Sequence, residues 1–242
     1  MQNKNHVENL GQNKKSDTKI GVRINKYLAD KKISTRRGAD ELIKEKKVFI
    51  NGKLAELGSQ VNEDDKVEVR GAKEKAYKYF AYNKPIGVET ETLSKLSKAA
   101  FDNVFPLGRL DKASHGLLIL TNDGRITDQL LNPKYIHEKE YLVKTSNKLR
   151  SNFKTKMEAG VNIEGYLTKP CKIKILNENT FRIILTEGKK HQIRRMCANL
   201  FQEIADLKRE RIMNIKLGNL KPNARREIKG EELEIFLKLL EK

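Results

Sequence analysis

The sequence predicts an α+β protein: a small helical/β module followed by a larger domain with a mixed, largely antiparallel sheet. Two observations favour this fold class. In the larger part, strand candidates are separated by helices without a βαβ fingerprint. In addition, 242 residues are enough for one or two domains with a sizeable core. The predicted boundaries are a flexible polar arm over 1–22, the module over 23–71, a charged linker over 72–76 and the larger domain over 77–242.

The composition indicates a polyanionic partner. Lys and Arg number 50 against 32 Asp and Glu, a net charge of +18, which suits nucleic acid or an anionic membrane surface. No apolar run approaches the ~20 residues of a spanning helix, and the N-terminus lacks the apolar core of a signal peptide. Cys171 and Cys197 form neither a disulfide framework nor a metal-binding pair. We therefore expect a cytoplasmic protein without a membrane partner.

Two helices open the module. Apolar residues recur at helical spacing in both, and Ser34 or Thr35 precedes the second helix as a candidate N-cap. The predicted inward positions are Ile24, Tyr27, Leu28, Ala39, Leu42 and Ile43. A strand over 48–50 follows, and the Asn51-Gly52 pair predicts a tight turn after it. Further strand is expected around Val61, Val67 and Val69, with a turn over 62–65.

Charge is unevenly distributed in the module. From Arg23 to Lys53 there are ten basic residues and four acids, whereas Leu54 to Gly71 holds two bases and five acids. A basic helical pair backed by an acidic β end suits a surface that binds phosphates. Composition alone leaves an ordinary alternative, two solvated helix faces, about equally good.

The order of residues in the module resembles the S4 RNA-binding domain. The pattern runs from Lys26-Tyr27-Leu28 through the double arginine to Ile50-Asn51-Gly52. The resemblance implies that the two helices lay basic side chains on folded RNA. The residues that it assigns to RNA binding are Lys26, Arg36, Arg37 and Lys47.

The larger domain contains six strand candidates and four helix candidates. The strands are predicted over 77–82, 117–121, 139–145, 172–176, 181–186 and 211–217. The helices are predicted over 125–132, 148–158, 191–200 and 231–241. No Gly-rich nucleotide loop, Walker loop, nucleophile elbow or His/Cys cluster occurs, so we expect chemistry without a metal or a bound cofactor.

One segment of the larger domain has a residue pattern that is typical of a catalytic loop. Residues 106–114 form a charged loop that leads into the apolar run 116–120 and ends at an Asn-Asp-Gly turn. A loop anchored on a buried strand is a good position for a catalytic side chain. Asp123 lies in the turn, where Asp is a structural choice. Asp111 has no such explanation, although an exposed loop aspartate is common.

The stretch 108–124 resembles the catalytic motif of the RNA pseudouridine synthases: Gly-Arg-Leu-Asp, then Gly-Leu-Leu and Thr-Asn-Asp-Gly. Three further family motifs are in register, at Asn83-Lys84-Pro85, at Lys139-Glu140-Tyr141 and over 188–196. With the S4-like module, the layout is that of the RsuA/RluB/RluE/RluF branch. The segments 137–143 and 211–214 favour the RluF-like members, which act on large-subunit rRNA.

The resemblance implies a reaction and a site. The enzyme would flip a uridine out of its stack, break the N1–ribose bond and rejoin the base through C5, with no cofactor. Asp111 would act as a nucleophile or base towards the sugar, Tyr141 would stack on the uracil, and Arg194 would pair with Asp111. Arg109 would fill the space left by the base, or equally contact a phosphate. Ile193 would pack under the site, and Arg195 would contact RNA.

Several alternatives stay open at this point. Outside the motifs, Tyr141 is an ordinary strand tyrosine, Arg194 a phosphate-facing surface arginine, and His191 a structural residue. The expected partner is ribosomal RNA, 23S first, with ribosome assembly intermediates as a further partner and a monomeric enzyme. The competing readings are a small-subunit rRNA or tRNA target, a non-catalytic S4-type ribosome-associated protein, and an S4-bearing methyltransferase, which the missing glycine loop disfavours.

Overall fold

The computed structural model describes residues 21–71, 76–93 and 103–241. The chain divides into two compact units, Met1–Lys73 and Glu74–Lys242, and each is described by itself. Residues 1–20 of the predicted arm and 72–75 of the predicted linker lie outside the described residues. Val22, which we assigned to the arm, forms a strand with Arg23.

The first unit contains two helices and two small antiparallel sheets. The helices are α1 (Ile24–Asp30) and α2 (Arg36–Lys44). The strands are β1 (Val22–Arg23), β2 (Val48–Ile50), β3 (Lys53–Leu54), β4 (Gln60–Val61) and β5 (Val67–Val69). Strand β1 pairs with β4, and the other three are ordered β3-β2-β5.

The apolar positions predicted for the two helices form the core of this unit. Ile24, Leu28 and Ala39 are fully buried, and Tyr27 and Leu42 pack against the same cluster. Of the two candidate caps, Thr35 is the one that caps α2, because its hydroxyl accepts the Gly38 N–H at 3.0 Å. The predicted turn is also confirmed, since Asn51 and Gly52 both have positive φ, as a two-residue hairpin requires.

The second unit is built on a nine-stranded sheet. Its strands are β6 (Tyr79–Lys84), β7 (Phe105–Leu107), β8 (His115–Thr121), β9 (Lys139–Thr145), β12 (Lys172–Asn177), β13 (Thr180–Leu185), β14 (Ile204–Ile212), β15 (Ile215–Lys216) and β16 (Arg225–Glu227), while β10 (Asn162–Ile163) and β11 (Tyr166–Leu167) form a separate hairpin. The order is β12-β13-β9-β14-β8-β6-β16, with β15 on β14 and β7 on β8. Among the described strand pairs, β14–β8 is parallel and the others are antiparallel, which confirms the predicted α+β class.

Besides the helical residues 90–93, helices with both ends in the described residues accompany this sheet. They are α3 (Thr127–Leu131), which follows a 3-10 turn over Gly124–Ile126, α4 (Phe153–Glu158), α5 (Gln192–Asn199) and α6 (Gly230–Leu240). Each helix of the described residues is too short or too polar to span a bilayer.

The main error of the sequence analysis concerns the strand predicted over 211–217. The chain instead forms the long strand β14, which ends at Ile212, and a turn at Met213 that leads into β15. Strand β14 is rich in charge and shows little apolar alternation, so the sequence hides it. Its charges are compensated across the sheet: Arg211 pairs with Glu140 on β9 at 2.8 Å. Strands β7 and β16 were also missed, and helix α4 begins at Phe153 rather than at 148.

Strand β8 connects two cores. Leu117 and Ile119 point into the cluster that contains α6, whereas Leu118 and Leu120 point into a second cluster with Tyr82. Side chains alternate across a strand, so a central strand that is buried on both faces reads as one continuous apolar run. The rigid element behind the 108–114 loop is therefore fully buried.

Gly116 allows the parallel contact between β8 and β14. It has φ +104°, and a Cβ atom at this position would lie 2.4 Å from the carbonyl oxygen of Arg209. Both the backbone conformation and the close approach require glycine.

We expect Gly116→Ala to lower the free energy of unfolding by at least about 3 kcal/mol, because the strands must separate and the backbone is strained. Gly188→Ala is the control, since a Cβ there meets nothing within 4 Å and φ is not positive. Denaturant unfolding of both variants measures the effect. A loss for Gly116→Ala no larger than for the control would show that the strand contact is not constrained by the glycine.

Candidate active site

The loop between β7 and β8 carries Asp111. Thr90 holds its first part: the buried hydroxyl donates to the Leu110 carbonyl at 2.8 Å and accepts the Leu110 N–H at 3.1 Å. Behind the aspartate, the Ser114 N–H returns to the Asp111 carbonyl at 3.0 Å. The loop backbone is thus fixed on both sides of Asp111 by contacts that do not use its carboxylate.

Asp111 lies in a cleft of about 530 Å³ in the second unit. Other residues of the quoted motifs line the same cleft, among them Arg109, Tyr141, His191 and Ile193. The cleft is large enough for one flipped nucleotide, since typical ligand pockets start at roughly 300 Å³. Among the described residues, no group of three or more His, Cys, Asp or Glu side chains could hold a metal ion.

The His191 side chain lies next to the Asp111 carboxylate. Its Nε2 lies 3.4 Å from Asp111 Oδ1, and both side chains are partly exposed. From the sequence we interpreted His191 as a structural residue with no identifiable partner, and the structure supplies Asp111 as that partner. The partner could not be identified from sequence because 80 residues separate the two side chains.

Arg194 contacts the loop rather than the carboxylate. Its Nη2 donates to the Ala113 carbonyl at 2.9 Å and to the Ser114 hydroxyl at 3.3 Å. Within the described residues, no ion pair joins Arg194 to Asp111, and Arg194 does not line the cleft. The expected direct pair is therefore absent from this structure, because the guanidinium reaches the backbone two residues past Asp111. In this position Arg194 fixes the end of the loop.

A buried polar network holds His191 in place. Glu187 is 4% exposed and accepts from Gln192 Nε2 at 2.7 Å and from the Tyr166 hydroxyl at 2.6 Å. Gln192 in turn accepts the Lys189 N–H at 2.9 Å. These bonds fix the chain on both sides of His191, whose φ of +52° is uncommon for a residue with a side chain. The network therefore compensates the backbone cost of pointing His191 at the cleft.

Three cations lie close to Asp111 and Tyr141. Lys84 is fully buried and donates to the carbonyls of Pro85 and Val88. Burial lowers the pKa of Lys84, and the charge of Asp111 acts in the opposite direction. Burial, with the nearby charge of Arg209, lowers the pKa of Lys139 to about 8. The Arg209 guanidinium is 6.0 Å from the centre of the Tyr141 ring and donates to the Leu117 carbonyl at 2.7 Å.

Comparison with known proteins assigns the family. Residues 78–199 match the family described as RNA pseudouridylate synthase, and residues 22–67 match the S4 domain. Dual-specificity RNA pseudouridine synthase RluF of Escherichia coli (strain K12) is 40% identical over 231 residues, which cover 91% of this chain and 80% of that protein. The chain belongs to the RNA pseudouridine synthase family.

Other relatives agree with this assignment. Ribosomal large subunit pseudouridine synthase B of Bacillus subtilis (strain 168) is 34% identical, over 88% of this chain and 94% of that protein. A crystal structure of a pseudouridylate synthase matches with a TM-score of 0.66 and 26% identity, and covers 90% of this chain and 99% of its own. The resemblance found in the sequence is confirmed, and so is its S4-plus-synthase layout.

The predicted RNA-binding residues in the S4 domain of this pseudouridine synthase differ in whether they form ion pairs within the protein. Arg36 and Arg37 are exposed on the first turn of α2 and have no ion-pair partner among the described residues. Lys26 lies 3.9 Å from Asp30, and Lys47 is paired with Glu45 at 2.5 Å. Arginines at a helix N-terminus oppose the helix dipole, so they cost helix stability where they stand. This makes them the strongest candidates for phosphate contacts in the S4 domain.

In the synthase domain, the predicted RNA contact Arg195 is engaged within the protein. It forms an ion pair with Glu164 and donates to the carbonyls of Lys190 and Ile163. Arg109, by contrast, is 74% exposed and lies 3.3 Å from Glu91 at the edge of the cleft. Arg109 is therefore the more accessible of the two arginines.

Several residues around the pseudouridine synthase cleft were not expected at the site from the sequence. Lys84 and Lys139 stood in quoted motifs but were given no role. His191 and Gln192 also stood in the third motif, but the roles predicted there were given to the neighbouring residues 193–195. No sequence pattern distinguished Arg209, because it is one of several basic residues in a charged strand that was not predicted.

Proposed function

We propose that this enzyme isomerises a specific uridine of large-subunit (23S) ribosomal RNA to pseudouridine, and that Asp111 carries the reaction. The observation that supports the site most directly is the position of Asp111. Asp111 lies in a nucleotide-sized cleft that Tyr141, Lys139 and Arg209 also line, on a loop that is held by contacts to its backbone. A preorganised anion of this kind is suited to act on the ribose of a flipped nucleotide.

The reaction balances without a cofactor. The N1–C1′ bond breaks, the base turns, a C5–C1′ bond forms, C5 loses its proton and N1 gains one. Asp111 acts as an anion at the sugar, either by attack on C1′ or by removal of a sugar proton. Lys84 is a buried cation whose charge interacts with that of Asp111. Arg194 positions the loop through its backbone contacts.

The remaining cleft residues bind the base. Tyr141 is half-buried with its ring at the cleft, where it stacks on the extruded uracil. Ile193 is 4% exposed and closes the cleft from beneath. Arg109 occupies the place of the flipped base or binds a flanking phosphate, and its weak, exposed pair with Glu91 leaves it free for either.

The proposal extends to partners and location. The S4 domain binds ribosomal RNA, or a ribosome assembly intermediate, through Lys26, Arg36, Arg37 and Lys47, and Arg195 takes a share of RNA binding in the synthase domain. The enzyme acts as a monomer in the cytoplasm. The large-subunit target is supported by the name of the Bacillus subtilis relative, ribosomal large subunit pseudouridine synthase B.

Mapping of pseudouridine tests this function. The purified chain is incubated with 23S rRNA, 16S rRNA and tRNA transcripts, and carbodiimide-blocked primer extension locates any pseudouridine formed. Asp111→Asn is the control in each reaction. We expect one dominant new stop in 23S rRNA, without a change in the mass of the RNA. A dominant stop in 16S rRNA or tRNA would reassign the target, and the absence of any stop would favour an RNA-binding protein without activity.

A further inference from the structure

Two cations in the cleft have unused binding capacity. Arg209 is 3% exposed, and its Nη2 atom is buried without a hydrogen-bond partner. The Lys139 side chain forms no hydrogen bond or ion pair with any of the described residues, although it is partly buried. Both side chains line the cleft that contains Asp111 and Tyr141. A buried guanidinium hydrogen that lacks a partner is costly, so this arrangement points to a ligand.

The charge around these two residues does not balance in the free protein. The charge of Arg209 acts on both Lys84 and Lys139, and the charge of Asp111 acts on Lys84. Among these four interacting groups three are cations and one is an anion, so positive charge is in excess beside a partly dehydrated site. An anion that binds there would neutralise this excess charge and so stabilise the protein.

We propose that Lys139 and Arg209 form a binding subsite for the phosphodiester group next to the flipped uridine. This inference rests on the proposed function. A phosphate carries a full negative charge and several acceptor oxygens, and so it satisfies both cations, whereas a uracil carbonyl would leave the excess charge in place. Arg209 lies 6.0 Å from the centre of the Tyr141 ring, so the backbone of a base stacked on Tyr141 is within its reach.

Geometry explains why these two residues meet. Strands β9 and β14 are neighbours, and Tyr141 is the register partner of Arg209. Lys139 lies two residues before Tyr141 and therefore projects from the same face of β9. The Arg209 side chain is held at Nε by the Leu117 carbonyl and at Nη1 by the Arg109 carbonyl, and Nη2 is the nitrogen of this guanidinium that has no partner. The pairing of the two strands thus brings both cations to the same cleft.

The first test needs no RNA and therefore remains readable if the proposed function fails. Melting temperatures of the full chain are measured in chloride and in inorganic phosphate at equal ionic strength. Lys139→Gln should raise the melting temperature in chloride by a few degrees, because it removes one of two facing cations. Phosphate should stabilise the natural chain more than Lys139→Gln. Lys144→Gln, an exposed lysine on the same strand, controls for the general effect of one charge.

Two outcomes of this test contradict the subsite. One is a lower melting temperature for Lys139→Gln in chloride, which would mean that the lysine stabilises the fold. The other is an equal phosphate effect on the natural chain and on Lys139→Gln. Because excluded-solute effects of phosphate act on all three chains alike, only a difference that depends on Lys139 counts in favour.

The second test places the phosphate. Each phosphate that flanks the mapped uridine is replaced in turn by a neutral methylphosphonate, and binding is measured with Asp111→Asn, which does not turn over the RNA. At one position the replacement should weaken binding about tenfold. In the Asp111→Asn, Lys139→Gln double variant, the same replacement should have little further effect, because the contact is already lost. Replacements that weaken both chains by the same factor at both positions would refute the subsite.

Discussion

Asp111→Asn is expected to lower turnover by on the order of 10⁴-fold or more, while RNA affinity stays within a few-fold. The amide has the shape of the carboxylate but can neither attack the sugar nor accept a proton from it. Thr90 and Arg194 hold the loop through its backbone, so the substitution leaves the loop in place. Single-turnover conversion of the RNA and filter binding measure the two quantities separately. Substantial turnover by the purified variant would falsify the assignment of Asp111.

Asp123→Asn is the matched control, since it makes the same change in the same motif. Asp123 is 1% exposed and accepts from the Tyr79 hydroxyl at 2.7 Å and from Arg125 Nε at 2.8 Å. Burial raises the pKa of Asp123, but the hydrogen bonds from Arg125 and Tyr79 outweigh it and hold this pKa below its ordinary value. We expect this variant to lose about 3 kcal/mol of stability and to retain turnover at a temperature where it is folded. The two variants thus separate a chemical role from a structural one.

RNA affinity is expected to fall on the order of 10²- to 10⁴-fold between 50 and 200 mM salt. We expect roughly 5–8 phosphate contacts, and each contact releases counterions. Each contact therefore contributes about −0.7 to −0.9 to the slope of log affinity against log salt. The net charge of +18 and the exposed bases of the S4 domain supply these contacts. Filter binding over a salt series measures the slope.

Neutralising Arg36 and Arg37 together should reduce this slope by up to about two units, and leave the rate of the bound step nearly unchanged. The control is the double variant Lys66→Gln, Arg70→Gln, which removes the same charge from the same domain. Lys66 and Arg70 both pair with Glu68 at 2.7 Å, so we expect the slope to persist. If the Arg36, Arg37 variant keeps the full slope, the helical face of the S4 domain does not bind the RNA backbone.

Tyr141→Phe completes this comparison from the synthase domain. It removes no charge, so the salt slope should be unchanged, whereas the bound step should slow if the hydroxyl takes part as an acid or base. The same filter-binding and single-turnover assays apply. A changed salt slope for Tyr141→Phe would show that the two domains do not divide binding and chemistry as proposed.

Fold class was predictable because periodic elements dominate both units. The amphipathic α2, its Thr35 cap and the Asn51-Gly52 turn are local features, and local features survive in sequence. Strand β14 was mispredicted because its charged residues interrupt the apolar alternation, and these charges are paired with residues of other strands. Such pairs depend on the neighbouring strand, which a single window of sequence does not contain.

The site was predictable only in part. Asp111, Tyr141 and Ile193 were found through motifs, and all three line one cleft. Arg194 was also named from a motif, and in this structure it contacts the loop at Ala113 and Ser114 rather than the carboxylate. Motif order assigns residues to a region and leaves open which atom each side chain reaches.

The sequence by itself determined the domain order, the basic character of the S4 helices and the choice of Asp111 as the candidate catalytic residue, because each rests on residue types at fixed local spacing. The tertiary structure alone decided the surroundings of that aspartate. It placed His191 at 3.4 Å from Asp111 and brought Arg209 beside Tyr141 through the pairing of β9 and β14. The physical reason is that electrostatic interactions act through space, between side chains that lie from 68 to 80 positions apart in the chain.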